Sequence, residues 1–397
     1  MRPLFLAFLL ALTVPGAAAE KRSTPGITDN EIKIGQTMPY SGPLSAYSAI
    51  GKAELAYFTM INEQGGINGR KINLISLDDG YNPAKTVEQI RRLVEQDEVA
   101  FIFQSLGSVT NAAIQKYLND RKIPQLFLAD GTSRWDDSQH FPWTMPWQPS
   151  YRTEGHIDAA YVLKNKPDAK IGVLYQNETG GKDYIQGLRE GLGDRANAMI
   201  VSELPYEITD STVDTYIVRL KASGADTFFD ITTPKFAAQA IRKAYEIGWH
   251  PLHFLDFVSS SVAATLEPAG LDKSIGIFSV AILKDPANPQ WQDDPAMKEW
   301  LAWMNQYFPQ GDKRDGANVY AYLVAQTLVQ VLKQCGEDLT RDNIMRQAGD
   351  LHDLKLPLLL PGITINTSRT DYRPIKQMQP MRFDGKRWEL LGELISE

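Results

Sequence analysis

Hydroxyl-bearing loops that run into helices are the most chemically pointed feature of this chain. Residues 104–110 bring Ser105, Gly107, Ser108 and Thr110 ahead of a helix expected from Asn111. Residues 130–133 form a second polar loop, and Thr232 and Thr233 precede a helix expected from Phe236. The first turn of a helix leaves amide N–H groups unpaired, so hydroxyls placed there complete an anion site to which the helix dipole alone contributes ~0.3 to 1 kcal/mol. Singly, such residues serve as helix caps; converging at one mouth, they become a binding site. The chemistry they suit is capture of a small organic carboxylate by hydrogen bonds, with no bond made or broken.

Patterns for covalent chemistry do not occur. Gly180, Gly181 and Lys182 lack the spacing of a phosphate-cradling GxxxxGK[ST] loop. No GxSxG elbow presents a nucleophilic serine. The histidines at 140, 156, 250, 253 and 352 fall in no HExxH motif, and the single Cys335 reads as a small buried apolar residue. Asp78 and Asp79 are neighbours at a strand end, where successive side chains point to opposite faces, and read as structural. The expectation is a protein that is not an enzyme and uses no cofactor and no metal.

The elements that must hold these loops alternate between short β-branched strands and amphipathic helices. Residues 32–36 form a strand broken by Ser41, Gly42 and Pro43. Ile50, Ala53, Tyr57, Met60 and Ile61 then share one helical face that stops at Gly65 and Gly66, and residues 72–77 return as a parallel strand. Alternation continues to residue 128. After FPWTMPWQP, which follows neither period, a second series runs from Lys170 to Leu255 and a final hairpin turns at Asp384 and Gly385. Open α/β sheets bind ligands at the carboxyl ends of their strands, which also puts residues 41–47 at the mouth.

Several of these segments resemble one known family, the periplasmic substrate-binding proteins of ABC importers in the branched-chain amino acid (Leu/Ile/Val-binding) group. The SGPxxxYG-like turn, GGINGRKI, LDDGYNP, SLGSVTNAA, NKPDAKIGVLYQN, TTPKFAAQAIRKAYEIGWHP and VSSSVAATLEPAG match its pattern in order over nearly the whole chain. The resemblance implies a type I periplasmic-binding fold, two doubly wound α/β lobes joined by a three-crossover hinge. Lobe one would comprise residues 28–147 plus 278–358, and lobe two residues 148–277 plus 359–397. It further implies that Gly131, Thr132 and Ser133 meet the ligand's carboxylate and ammonium, and that Tyr47 walls its apolar part. In the second lobe the chain departs from the amino-acid binders. Gly180 stands where they have an aromatic residue, which would free volume for a ligand, and Val258 where they have the ammonium's carboxylate partner, with Asp256 two residues away as a substitute.

On that pattern the function is a periplasmic solute-binding receptor. Its ligand would be a small carboxylate, an aromatic acid or a branched-chain or hydrophobic amino acid, delivered to an inner-membrane ABC permease. The two departures favour a carboxylate without an α-ammonium, stacked on Tyr47 with Trp135 or Phe257 at the rim. A sensor of the same fold that regulates a signalling partner is the alternative. Composition agrees: 397 residues with 43% apolar content can bury two cores, and a net charge of −7 with no basic run disfavours nucleic acid. Residues 1–19 combine a basic start, an apolar run of about 11 residues, short of the ~20 a spanning helix needs, and Ala17, Ala18 and Ala19. They read as a signal peptide cleaved after Ala19, which places a monomeric mature protein in the periplasm.

Overall fold

The computed structural model describes residues 24–396, so the leader expected at residues 1–19 lies outside the described residues. Two sheets organise the chain. The first holds β1 (Glu31–Met38), β2 (Lys71–Asp78), β3 (Ile102–Phe103), β4 (Gln125–Leu128) and β5 (Thr144–Pro146), all parallel, in the order β2-β1-β3-β4-β5. The second holds β6 (Ile171–Gln176), β7 (Ile200–Tyr206), β8 (Thr227–Ile231), β9 (Leu252–Leu255) and β10 (Phe278–Ala281). The antiparallel β11 (Gln377–Phe383), β12 (Trp388–Leu390) and β13 (Ile395–Ser396) extend one edge of it. Its order is β12-β11-β10-β9-β8-β6-β7. Counted from β6, the parallel part repeats the winding of the first sheet, so each sheet reverses direction between its first and third strands and opens a crevice there.

Strand composition explains the burial. Ile32, Ile34 and Met38 of β1 and Phe228, Phe229 and Asp230 of β8 are fully buried, as strands covered by helices on both faces must be. The helices Ser48–Glu63, Pro295–Tyr307 and Gly316–Gln334 cover the first sheet, with Tyr57 edge-on to Tyr322 at 4.9 Å between ring centroids. Cys335, which follows the last of these, is 5% exposed, and burial pushes its thiol up to about 12. Among the described residues no helix is long and apolar enough to cross a membrane.

Three features differ from the sequence expectations. Residues 144–146 form a strand and Tyr151–Asn165 a helix, neither of which the apolar periodicity signalled. That helix buries Thr153, Glu154 and Asp158 alongside Ile157 and Val162, so polar residues mask its inner face. It also lies backbone-close to the helix Thr179–Leu192: a Cβ added at Gly155 would fall 2.5 Å from the Tyr184 carbonyl. The third difference concerns the lobe edges at 278 and 358. Phe278 in β10 pairs with Phe254 in β9 of the second sheet, whereas Leu359, Ile363, Ile365, Tyr372 and Ile375 pack into the core of the first. The chain therefore passes between the two cores after β5, after β10 and before β11.

Candidate ligand-binding cleft

The carboxyl ends of β1, β3 and β4 face those of β6, β8 and β9 across a cavity of about 190 Å³. Eight of the twelve residues expected at the ligand line it: Tyr47, Gly107, Ser108, Gly180, Thr232, Thr233, Asp256 and Val258. Ser105, Gly131, Thr132 and Ser133 do not. Ser105 Oγ donates to Asn111 Oδ1 at 2.7 Å inside the first lobe. Gly131 passes its carbonyl to the Tyr151 amide at 2.7 Å. Ser133 donates its amide and hydroxyl to Asp183 of the helix Thr179–Leu192, at 2.8 and 2.6 Å, and so ties the two lobes together beside the cleft.

Thr132 has another partner. Its amide and hydroxyl donate to Asp130 Oδ1 at 2.9 and 2.5 Å, and Trp135 Nε1 donates to the same oxygen at 2.6 Å. Ser108 Oγ donates to Asp130 Oδ2 at 2.6 Å. The hydroxyls assigned to a ligand carboxylate thus surround a carboxylate of the protein. Asp130 itself lines the cavity, and Trp135 is buried beneath it rather than standing at the rim.

Gly180 also plays a part that its sequence context did not suggest. A Cβ at Gly180 would lie 2.7 Å from Ser108 Oγ and 3.1 Å from the Tyr151 ring. The missing side chain therefore gives no extra room for ligand, because residues from across the cleft and from the neighbouring helix already occupy the space. It lets the start of the helix Thr179–Leu192 approach the first lobe. Val258 contributes its backbone: the half-buried Tyr47 donates its phenol to the Val258 carbonyl at 3.3 Å.

The second wall is acidic. Glu178 accepts a hydrogen bond from Tyr81 Oη across the cleft at 2.7 Å; burial, with the Asp130 charge adding, pushes its carboxyl up to about 7. Asp256 accepts from the Val258 amide at 3.2 Å and is likewise raised by burial. Behind it Glu154 accepts from the Phe257 amide at 2.8 Å and lies well above the usual carboxylate range, through burial first and the Asp256 charge second. With Asp130, Glu178 and Asp256, Asp285 and Asp315 make five acids along the cavity, and among the described residues no Lys, Arg or His lines it. Tyr81, Tyr151 and Trp388 add aromatic surface, and the Trp388 Nε1 donates to the Ser260 carbonyl at 2.9 Å. Sequence reasoning missed Asp130, Glu178 and these three rings; for Asp130 a signal existed, an acid directly before Gly-Thr-Ser at a strand end, where an Asx turn forms. By contrast Asp78 and Asp79 are structural. The former accepts from Ser41, Gly80 and Lys85, the latter from Tyr81 N and Thr86 Oγ1.

The cleft thus lies between two sheets of like winding joined by three crossings. The family model described as "Periplasmic binding protein" matches residues 31–387. The chain belongs to that family. Its fold is the type I periplasmic-binding fold, and members of the family are solute-binding receptors and not enzymes. A protein of Brucella abortus named Leu/Ile/Val-binding protein homolog 1 is 24% identical over 319 residues, 78% of this chain and 80% of the relative. A branched chain amino acid ABC transporter protein from Thermus thermophilus, solved with bound valine, superposes with a TM-score of 0.83 at 16% identity, covering 94% of this chain and 98% of the other. A fatty acid ABC transporter substrate-binding protein from Thermomonospora curvata reaches 0.77 at 20% identity, with 95% of each chain covered. The family works with ABC permeases and is periplasmic.

Proposed function

We propose that this protein captures a small organic solute in the periplasm by closing two lobes on it, and hands the closed form to an ABC permease as a monomer. The lobes are taken as residues 24–146 with 282–375, and residues 151–281 with 377–396. The observation that carries the reading is the position of the cavity: its lining comes from strand ends of both sheets, so a solute there touches both lobes at once. A solute first held by lobe one gains the Glu178, Thr232 and Asp256 contacts only on closure, and that difference in contacts shifts the open–closed equilibrium. Three parallel connections allow bending and resist twist. The apolar lining from Tyr47, Tyr151 and Phe257 supports a solute with a hydrophobic body.

The acids of the cleft weigh against the plain carboxylate that the second-lobe departures suggested. A ligand with a nitrogen-borne N–H donor, such as an amino acid, fits this lining better. To test the receptor reading, denature purified protein, identify any released small molecule by mass spectrometry, and follow the radius of gyration of the refolded, ligand-free chain. Compaction on returning the released solute is the expected result. A radius that responds to no solute would overturn it.

A further inference from the structure

Resting on the receptor reading, the geometry points to Asp130 as the anchor for the ligand's nitrogen and to a small primary amine with an apolar body as the ligand. Two oxygens of Asp130 share the load unequally. Oδ1 accepts from Thr132 N, Thr132 Oγ1 and Trp135 Nε1, while Oδ2 accepts only from Ser108 Oγ. A carboxylate offers about four lone-pair sites over its two oxygens, so Oδ2 is the oxygen with acceptor capacity left. The residue is 3% exposed, and the cavity it lines is where that remaining capacity can be used.

The rest of the lining selects the same chemistry. Among the described residues no Lys, Arg or His lines the cavity for an entering carboxylate to pair with, and it would face Asp130. A buried anion without a partner is costly, whereas an ammonium brings the positive charge that the cavity lacks. Tyr151 lines the same cavity as Asp130 and Asp256, and burial first, then these two acids, raise its phenol, so an aromatic face lies beside the acids, suited to a cation. On the opposite wall Thr233 is 8% exposed, and it lines the cavity beside the Tyr206 phenol. A second N–H of the ligand can donate to its hydroxyl oxygen. The loop that sequence reasoning assigned to the ligand's carboxylate is thereby inverted in charge: it holds the protein's carboxylate and takes the ligand's cation.

Two matched series test this by calorimetry on the refolded mature chain: isoamylamine, leucine and 4-methylpentanoate, and phenethylamine, phenylalanine and 3-phenylpropanoate. In at least one series the amine should bind tenfold or more tighter than the matching acid, with the amino acid between them. An acid that equals or exceeds its amine overturns the assignment, as does an amino acid tighter than its amine, or no binding by any of the six. Asp130→Asn should lower amine affinity at least thirtyfold and leave the acid unchanged; equal loss of both overturns the anchoring role. Because that variant turns one of the two accepting oxygens into an N–H donor and can fail to fold, Thr233→Ala provides a second check, with an expected loss of about threefold or more for the amine. Failure of these outcomes while another solute still compacts the protein rejects the amine and leaves the receptor reading standing.

Discussion

Asp130 and Asp256 occupy like places, each just past the fourth strand of a sheet wound in the same order, yet their surroundings oppose each other. Asp130 is met by four donors, two of them hydroxyls and one an indole. Asp256 is met by one backbone amide and by the carboxyl of Glu154, itself followed by Asp158 one helical turn on. Burial lifts all three second-lobe carboxyls, since too few donors replace the water they lose. The same topological position therefore yields a fixed acceptor in one lobe and a proton-holding group in the other. What decides is the supply of donors within reach, a property of the neighbouring turn and helix and not of the strand.

The comparison can be broken most severely by overfilling the second lobe. Gly155→Val sets a side chain against the Tyr184 carbonyl and the Leu188 amide, at 2.5 and 2.6 Å from the Cβ, and should destabilise that lobe by on the order of 3 kcal/mol. Calorimetry should show one transition moving down while the first lobe's stays; a single transition shifting as a whole would mean that the lobes unfold together.

Next in size is the pH response. Glu178 keeps its proton to about 7 when folded, against 4.5 ordinarily, so between these values the native state binds more protons than the unfolded chain and stability falls as pH rises. The contribution is present below about pH 4.5 and lost as pH rises through 7, by at most about 3 kcal/mol at 1.36 kcal/mol per unit. The melting temperature of ligand-free protein should decline from pH 5 to 8, and Glu178→Gln should flatten that slope. An equal slope in the variant would assign the effect to Asp256 and Asp158.

Smaller effects sharpen how the walls meet. Gly180→Val, whose Cβ would press on Ser108 and Tyr151, should weaken binding about tenfold, ~1.4 kcal/mol, at nearly constant melting temperature. If affinity rises instead, the glycine does not serve close approach. Ser133→Ala removes one of the two bonds to Asp183 and should cost the closed form about 1 kcal/mol. Small-angle scattering would detect the resulting expansion, and an unchanged radius would show that this tie does not hold the lobes.

Apolar periodicity revealed most strands and most helices, because these elements bury one face or both and their residue types say so. Residues 227–231 are a case in point: TFFDI is a strand in sequence and in structure. The helix Tyr151–Asn165 escaped notice because its inner face carries Glu154 and Asp158, the same acids that set the electrostatics behind the cleft. At the site, the loops were legible and the roles were not. Ser108 and Thr132 were visible as donors, but their acceptor, Asp130, sits in the same loop as Thr132 and became apparent only once that loop's turn was known. Gly180 suggested empty volume, and only the approach of Ser108 from the other lobe shows that none is left there.

Cys335 has a practical use. It is the only cysteine in the chain, packed away and with its thiolate suppressed, so alkylating dyes should ignore it in the folded protein. A cysteine placed at Ala46, exposed at the mouth beside Tyr47, would then be the single point of labelling. An environment-sensitive fluorophore there would turn each closure into an optical signal, giving a reagentless sensor with no native residue to mask.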